Sequence, residues 1–461
     1  MMMGIVLFQA TLSFVLPFLA GWTLTEALWP SGTKLLRSVI GVGLGIGTAG
    51  AAWMAGLMLS NSSAVAFDVS EIVLLVLIAT LGLFNARRRN RVVPFPKTSI
   101  PGSSRIEIAA LVLVIMVSGF LAVMNFDVGR HGGHDARAIW NGKARVLYLG
   151  DHPMDLLADF QMPDYPLLLP GLIIRGWQYS GRNTVAVPIT LALLFIVASV
   201  VVLIDGLRII STSRTAALAG CAALGTPYFV VLGASQYADI VMCFFITAAI
   251  VLFLISDFTA SGTFWLPLLS GLSAGMGACV KNEGSLFVVV ILGARVALMI
   301  WNRHWKVDGV RIGLFVAGLA PFLLVLDVFR TLAPVPSVLI GSMTVGVIGT
   351  RVMDTARHLE ILKGLGRNLV RFGNWWVNPL LPMLLYVIVQ RYRRPAYAAT
   401  KQAWFPAIVF AGMLCGYYGV YLFSPYEVVW HVETSISRLL IQLWPTLLLL
   451  WALLVAEKVE A

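Results

Sequence analysis

Between Asp239 and Asp257 the chain reads IVMCFFITAAIVLFLIS, residues Ile240–Ser256, without one charged side chain. A helix needs about 20 apolar residues to cross the hydrocarbon of a bilayer, and this run approaches that length. Runs of the same character occur at Gly4–Leu28, Leu36–Ser60, Ser70–Ala86, Ile106–Met124, Thr184–Ile209 and Thr215–Leu232. They continue after Asp257 at Phe264–Val280, Ser285–Trp301, Ile312–Phe329, Trp375–Val389, Trp404–Phe423 and Ile436–Val455.

Across 461 residues, hydrophobic side chains make up 59% and charged ones 12%, with a mean hydropathy of +0.87. A soluble domain carries roughly 25% charged and 45–50% apolar residues. The imbalance runs the whole length, which excludes a soluble enzyme on a single anchor. The expected fold is an all-α polytopic membrane protein, a helix bundle of about 13 spans. Cys221, Cys243, Cys279 and Cys415 lie in apolar stretches at no metal-like or paired spacing and read as core residues. The first run follows no basic segment and has no evident cleavage site, so it reads as a retained helix.

The formal charge is +11, and most of the surplus sits in short loops, as the positive-inside rule requires. It reports orientation and some affinity for anionic membrane lipid, not nucleic acid. Arg87, Arg88, Arg89 and Arg91 with Lys97 and Arg105 mark one cytoplasmic loop. Arg208/Arg214, Arg303/His304/Lys306 and Arg391/Arg393/Arg394 fall on the same face if the runs alternate across the membrane. The C-terminus is then cytoplasmic and the N-terminus external. Two long segments remain outside, 125–181 and 331–374. The first is polar and ends in Tyr165–Trp177, too short to span and suited to an interfacial or re-entrant helix. The second is basic at Lys363, Arg367 and Arg371. No internal repeat is visible.

The richest stretch runs from His131 through His134-Asp135-Ala-Arg137-Ala-Ile-Trp140-Asn141-Gly-Lys143-Ala-Arg145 to Tyr148. As a helix it places Ala136, Ile139, Trp140, Ala144 and Leu147 on one face and His134, Arg137, Asn141 and Arg145 on another. A surface helix with snorkelling cations has the same pattern. Downstream, Pro163-Asp164-Tyr165-Pro166 leads into the short apolar stretch, where Asp164 suits a binding group or an N-cap. Tyr237-Ala-Asp239 opens the seventh run, and an acid at the membrane boundary is either functional or a cap. Lys281-Asn282-Glu283-Gly284 turns between two runs, as substrate contacts or as a plain ion pair. In Trp430-His431 to Pro445, His431, Ser435, Arg438 and Gln442 recur as one polar stripe on an apolar helix. An intramembrane arginine costs about 2.5–3.5 kcal/mol on insertion scales, so Arg438 requires a buried partner or a bound anion.

Alternation puts all five stretches on one face of the membrane. Fixed cations there suit a phosphate, and carboxylates suit a hydroxyl that must lose its proton. A ligand reaching that depth is expected to be phospholipid-like. In this order the stretches resemble the GT-C membrane glycosyltransferases, nearest the protein O-mannosyltransferase and aminoarabinose transferase branch. The resemblance runs from Ile106 to the C-terminus, as a catalytic module over 106–461, with 1–105 as additional N-terminal helices and a basic loop. It implies an inverting transfer of a sugar from a polyprenyl-phosphate donor to an acceptor hydroxyl of a lipid, glycan or protein, on the extracytoplasmic face. Asp135 matches the catalytic base. The mannosyltransferase branch carries Asp-Glu there and this chain Asp135-Ala136, which brings Asp127 and Asp239 in as alternative bases. Arg438, Lys281, His431 and Arg137 are expected on the donor phosphate, and Lys143, Asp164, Tyr165, Tyr237, Asp239 and Glu283 on substrate. No cofactor is certain. Oligosaccharide-transferring relatives use a divalent metal, and Asp135, Asp151, Asp155, Asp159 and Asp164 are the side chains available for one. The expected location is a bacterial inner membrane. The rival readings are a transporter or flippase of a lipid-linked or anionic solute, and a non-catalytic subunit of an envelope assembly.

Overall fold

The computed structural model describes residues 8–88, 105–259, 263–332, 345–374, 378–393 and 401–455. Within them the chain is helical, with no strand. The first helices are α1 (Val15–Leu28), α2 (Lys34–Ser60), α3 (Ser63–Arg88) and α4 (Arg105–Val128). A polar segment follows: a π-turn Ala136–Trp140, α5 (Asn141–Leu149), a 3-10 turn Pro153–Asp159 and α6 (Leu168–Ser180). Next come α7 (Ala186–Ile210), α8 (Ser213–Leu224), α9 (Pro227–Ala234), α10 (Ala238–Phe258), α11 (Leu266–Ala278), α12 (Asn282–Asn302) and α13 (Trp305–Leu332). The remainder is α14 (Val345–Val352), α15 (Thr355–Val370), α16 (Leu380–Arg393), α17 (Trp404–Phe423), α18 (Val428–Gln442) and α19 (Trp444–Val455).

Among the described residues nine helices are long and apolar enough to cross a membrane, and two bent pairs raise the number to eleven. Two shorter apolar helices, Leu266–Ala278 and Leu380–Val389, account for the remaining runs read in the sequence. Parts of the expected spans at 4–7 and 375–377, and the basic loop from 89 to 104, lie outside the described residues. So does 333–344 of the second polar segment.

Two runs expected as single spans are broken. Thr215–Leu232 becomes α8 and α9, bent by 59°, with Pro227 opening the second limb. The last run becomes α18 and α19, bent by 46°. Pro445 has no N–H for a bond back along the helix, so the chain restarts after Leu443. Arg438 therefore rides the first limb and not the middle of a straight span.

The run Ile240–Ser256 is the hub. As α10, its most apolar window is wholly buried, against 17% for the third span and 11% for the fourth. A helix apolar on every side belongs inside a bundle. The second span α2 is embedded too: a Cβ at Gly43 would meet Phe244, one at Gly47 Met276, and one at Gly50 Leu168. Ion pairs fix the helix ends. At one end Arg214 meets Glu107 at 2.9 Å, and Arg295 and Arg311 share Asp257 at 2.6 and 2.9 Å. The polar segment between α4 and α7 gathers at the other end, as alternation of the spans requires.

Candidate functional site

The site is built where α5, α6, α10, α12 and α18 meet. Gly132 holds φ of +81°, a value that favours a residue without Cβ, and the Gly133 N–H bonds the Ser235 carbonyl at 2.9 Å. The chain then enters a helix at His134, whose second turn widens into the π form, with Asn141 N–H bonding Ala136 O. Ala136, Ile139, Trp140, Ala144 and Leu147 are buried, as the apolar face required. Arg137 and Arg145 are exposed. Asn141 donates to Gln236 Oε1 at 2.7 Å.

Asp135, in the first turn, forms an ion pair with Arg438, which reaches it from α18 across 303 positions of sequence. His134 Nδ1 lies 3.5 Å from the other Asp135 oxygen. The Arg438 guanidinium also lies 5.3 Å from the centre of the Tyr237 ring, an attraction of cation to ring face. Next to this pair is a buried network. Lys281, just before α12, holds Asp239 at 3.1 Å and Glu283 at 2.9 Å. Gln442 donates to Asp239 at 2.6 Å and accepts from the Tyr417 hydroxyl at 3.2 Å. Burial works against the Lys281 charge, but the Asp239 and Glu283 carboxylates outweigh it and hold the ammonium above the usual lysine range.

The third element is the lead-in to α6. Asp164 accepts from Asn282 Nδ2 at 2.9 Å. Tyr165 stacks on Trp140 with ring centres 5.5 Å apart, and Lys281 sits 5.8 Å from its ring. Burial, then the Glu283 charge, raises the phenol above its ordinary range. Lys143, expected on substrate, is fully buried and gives its ammonium to the Met162 carbonyl at 2.5 Å. Burial lowers it to about 8, with Asp164 opposing.

His431 lies on α18 against the rings of Tyr421 and Tyr426, at 4.9 and 5.5 Å. The Tyr421 hydroxyl meets Ser435 at 2.8 Å. The fold thus gathers Asp135, Arg438, Lys281, Asp239, Glu283, Asp164, Tyr165 and Tyr237. It leaves Arg137 in solvent, and Asp127 pairs with Arg130 at 2.8 Å with both side chains more than half exposed. Sequence reading missed Asn282, Tyr417 and Tyr421; Asn282 sits inside a quoted motif, but no spacing marked the two tyrosines.

Several buried polar atoms in this region lack a hydrogen-bond partner: Asn141 Oδ1, Asp164 Oδ1, Glu283 Oε2, His431 Nδ1 and Arg438 Nε. Unsatisfied groups of this kind are costly, and a bound polar ligand would satisfy them. Among the described residues no three His, Cys, Asp or Glu side chains come together to hold a metal ion.

Residues 160–334 match the family model of dolichyl-phosphate-mannose-protein mannosyltransferase. That stretch contains Asp164, Tyr165, Tyr237, Asp239, Lys281 and Glu283. Asp135 and Arg438 lie outside it and are joined to it by the contacts above. The match bears out the resemblance to the GT-C membrane glycosyltransferases. No curated protein and no solved structure matches the chain at a significant level.

Proposed function

We propose that this chain is a GT-C-type membrane glycosyltransferase that moves a sugar from a polyprenyl-phosphate donor to an acceptor hydroxyl, with inversion, on the extracytoplasmic face. The observation that carries the reading is the meeting of Asp135 with Arg438 beside the Lys281–Asp239–Glu283 network. A carboxylate and two cations gathered at one place supply the two things the transfer needs: a base for the acceptor, and positive charge for the leaving phosphate.

The donor phosphate takes Arg438 and Lys281 as its partners, with His431 alongside. Arg438 enters that contact by exchanging the Asp135 carboxylate for a phosphate oxygen, which frees Asp135 to accept the acceptor proton. The acceptor oxygen bonds the anomeric carbon as the bond from that carbon to the phosphate oxygen breaks, and the electron pair leaves on the phosphate. Asp239, tied to Lys281 and Gln442, serves to hold Lys281 in place. Asp164, Tyr165 and Glu283 line the space for the sugar. The acceptor is a lipid, glycan or protein, and the setting a bacterial inner membrane.

Purified protein incubated with polyprenyl-phosphate sugars should release polyprenyl phosphate, and Asp135→Asn should not. A wild-type protein that binds these donors without ever releasing the phosphate would favour a transporter or flippase instead.

A further inference from the structure

The first three helices carry none of the groups assigned above, yet every one of them is bonded to the polar segment that holds Asp135, Asp164 and Tyr165. The first span offers the Ser13 carbonyl, which accepts from Arg175 of α6. From α3, Glu71 takes Arg175 Nε at 2.6 Å through one oxygen and the Tyr179 hydroxyl at 2.7 Å through the other. Arg175 lies 5.2 Å from the Tyr179 ring centre, and its side chain is 3% exposed. The Ser63 carbonyl accepts from Gln178 at 2.8 Å, and the Ser63 hydroxyl donates to Leu147 O at the end of α5. Asn61, closing α2, accepts from the Met154 N–H at 2.8 Å. Gly171 of α6 lies against Trp53, and Leu168 against Gly50.

Four of these bonds converge on α6, whose N-terminal lead-in carries Asp164 and Tyr165, and the other two reach α5 and the 3-10 turn. We infer that the Glu71–Arg175–Tyr179 cluster is a positioning device: α1–α3 form a cradle that sets the depth and rotation of α6, and through it the sugar-side residues Asp164 and Tyr165. The charges make this exacting. Arg175 is a buried cation whose fork is divided between a carboxylate on α3 and a backbone carbonyl in the turn before α1. A fork satisfied in two directions fixes orientation, where a point charge such as lysine fixes only proximity. Misplacing a reacting group by about 1 Å can cost about 10²-fold in rate, so small rotations of α6 register in turnover. Arg438 stands on α18, which none of these bonds reaches, so the donor phosphate contact at Arg438 should be the part of the site least sensitive to the cradle.

The kinetic part of the test rests on the proposed transfer reaction; the structural part does not. In the full chain, Arg175→Lys and Glu71→Gln should lower kcat by about tenfold or more with the donor KM within about twofold of wild type. In an Asp164→Asn background the same changes should cost less than about threefold, because residues acting through one another are not additive. A structural role in the bundle alone would lower the folded fraction and leave the penalties additive. The second measurement needs no activity. With the native cysteines replaced, Asp164→Cys and Asn282→Cys should be joined efficiently by a short bis-thiosulfonate linker, and Arg175→Lys should reduce the yield severalfold. Unchanged linking together with additive kinetic losses would overturn the inference. Unchanged linking in a protein with no turnover at all would overturn it together with the transfer reading. Reduced linking without turnover would uphold the cradle and sink only the transfer reading.

Discussion

Replacing Asp135 by asparagine separates the two jobs that the Asp135–Arg438 pair performs. The amide keeps the shape of the side chain and removes its charge and basicity. Loss of a positioned base typically costs about 10²–10⁴-fold, or about 3–5 kcal/mol of activation free energy. The effect on donor binding should have the opposite sign. Asp135 occupies Arg438 in the ligand-free protein, and a phosphate that takes its place leaves a like charge nearby. Two such charges about 4 Å apart repel by about 4 kcal/mol at an effective dielectric constant of about 20, before solvent and counter-charges reduce the figure. Asp135→Asn should therefore lower kcat by at least about 10²-fold while the donor KM stays level or falls. The assay is the initial rate of polyprenyl phosphate release, read by mass spectrometry over a range of donor concentrations. Turnover within about threefold of wild type would move the base elsewhere. A donor KM raised more than about tenfold would show that Asp135 assists the phosphate, contrary to the exchange argued above.

Arg438→Ala should weaken the donor by about tenfold to several hundredfold, the range for losing a partly buried charged partner, and titration of a fluorescent polyprenyl phosphate would detect it. Equal affinity in that variant would remove Arg438 from the phosphate site. Lys143, with its ammonium lowered to about 8 in the folded chain, binds fewer protons than the unfolded chain between about pH 8 and its ordinary value near 10.4. Its burial penalty is thus full below about pH 8 and fades as pH rises, so wild type should gain stability relative to Lys143→Met across that window; melting curves of both proteins differing by a constant amount from about pH 7 to 10 would contradict it. Gly45→Ala would drive a methyl into the Pro17 carbonyl of α1, costing about 1–3 kcal/mol of overpacking. It should lower the melting temperature, and an unchanged melting temperature would refute the close contact.

Hydropathy is a property of local composition, so the thirteen apolar runs and the helical class could be read directly. The meeting of Asp135 and Arg438 was reachable by a cruder argument, since alternation put both at one end of the bundle. The breaks within two runs were not expected, although Pro227 and Pro445 stood in plain view; a window average does not register a missing N–H. Lys143 lies three, four and seven positions after Trp140, Ile139 and Ala136, so a regular helical wheel already places it on the apolar face, where it is buried. The π-turn at Ala136–Trp140 adds a residue to one turn, a feature that the spacing of apolar residues does not mark. The Glu71–Arg175 pair joins helices 104 positions apart, and a single sequence contains no signal for a partnership of that range.

That extra residue in the π-turn also sets which kinds of change this loop can absorb. Shortening it by one position, at half-buried Ala138 for instance, would restore ordinary helical pitch and swing His134 and Asp135 by about 100° about the axis, while the interior packing of α5 stayed as it was. Substitutions in the turn leave that phase untouched; a single-residue deletion turns the carboxylate away from its guanidinium. Homologous loops should therefore vary at exposed positions such as Arg137 and hardly at all in length.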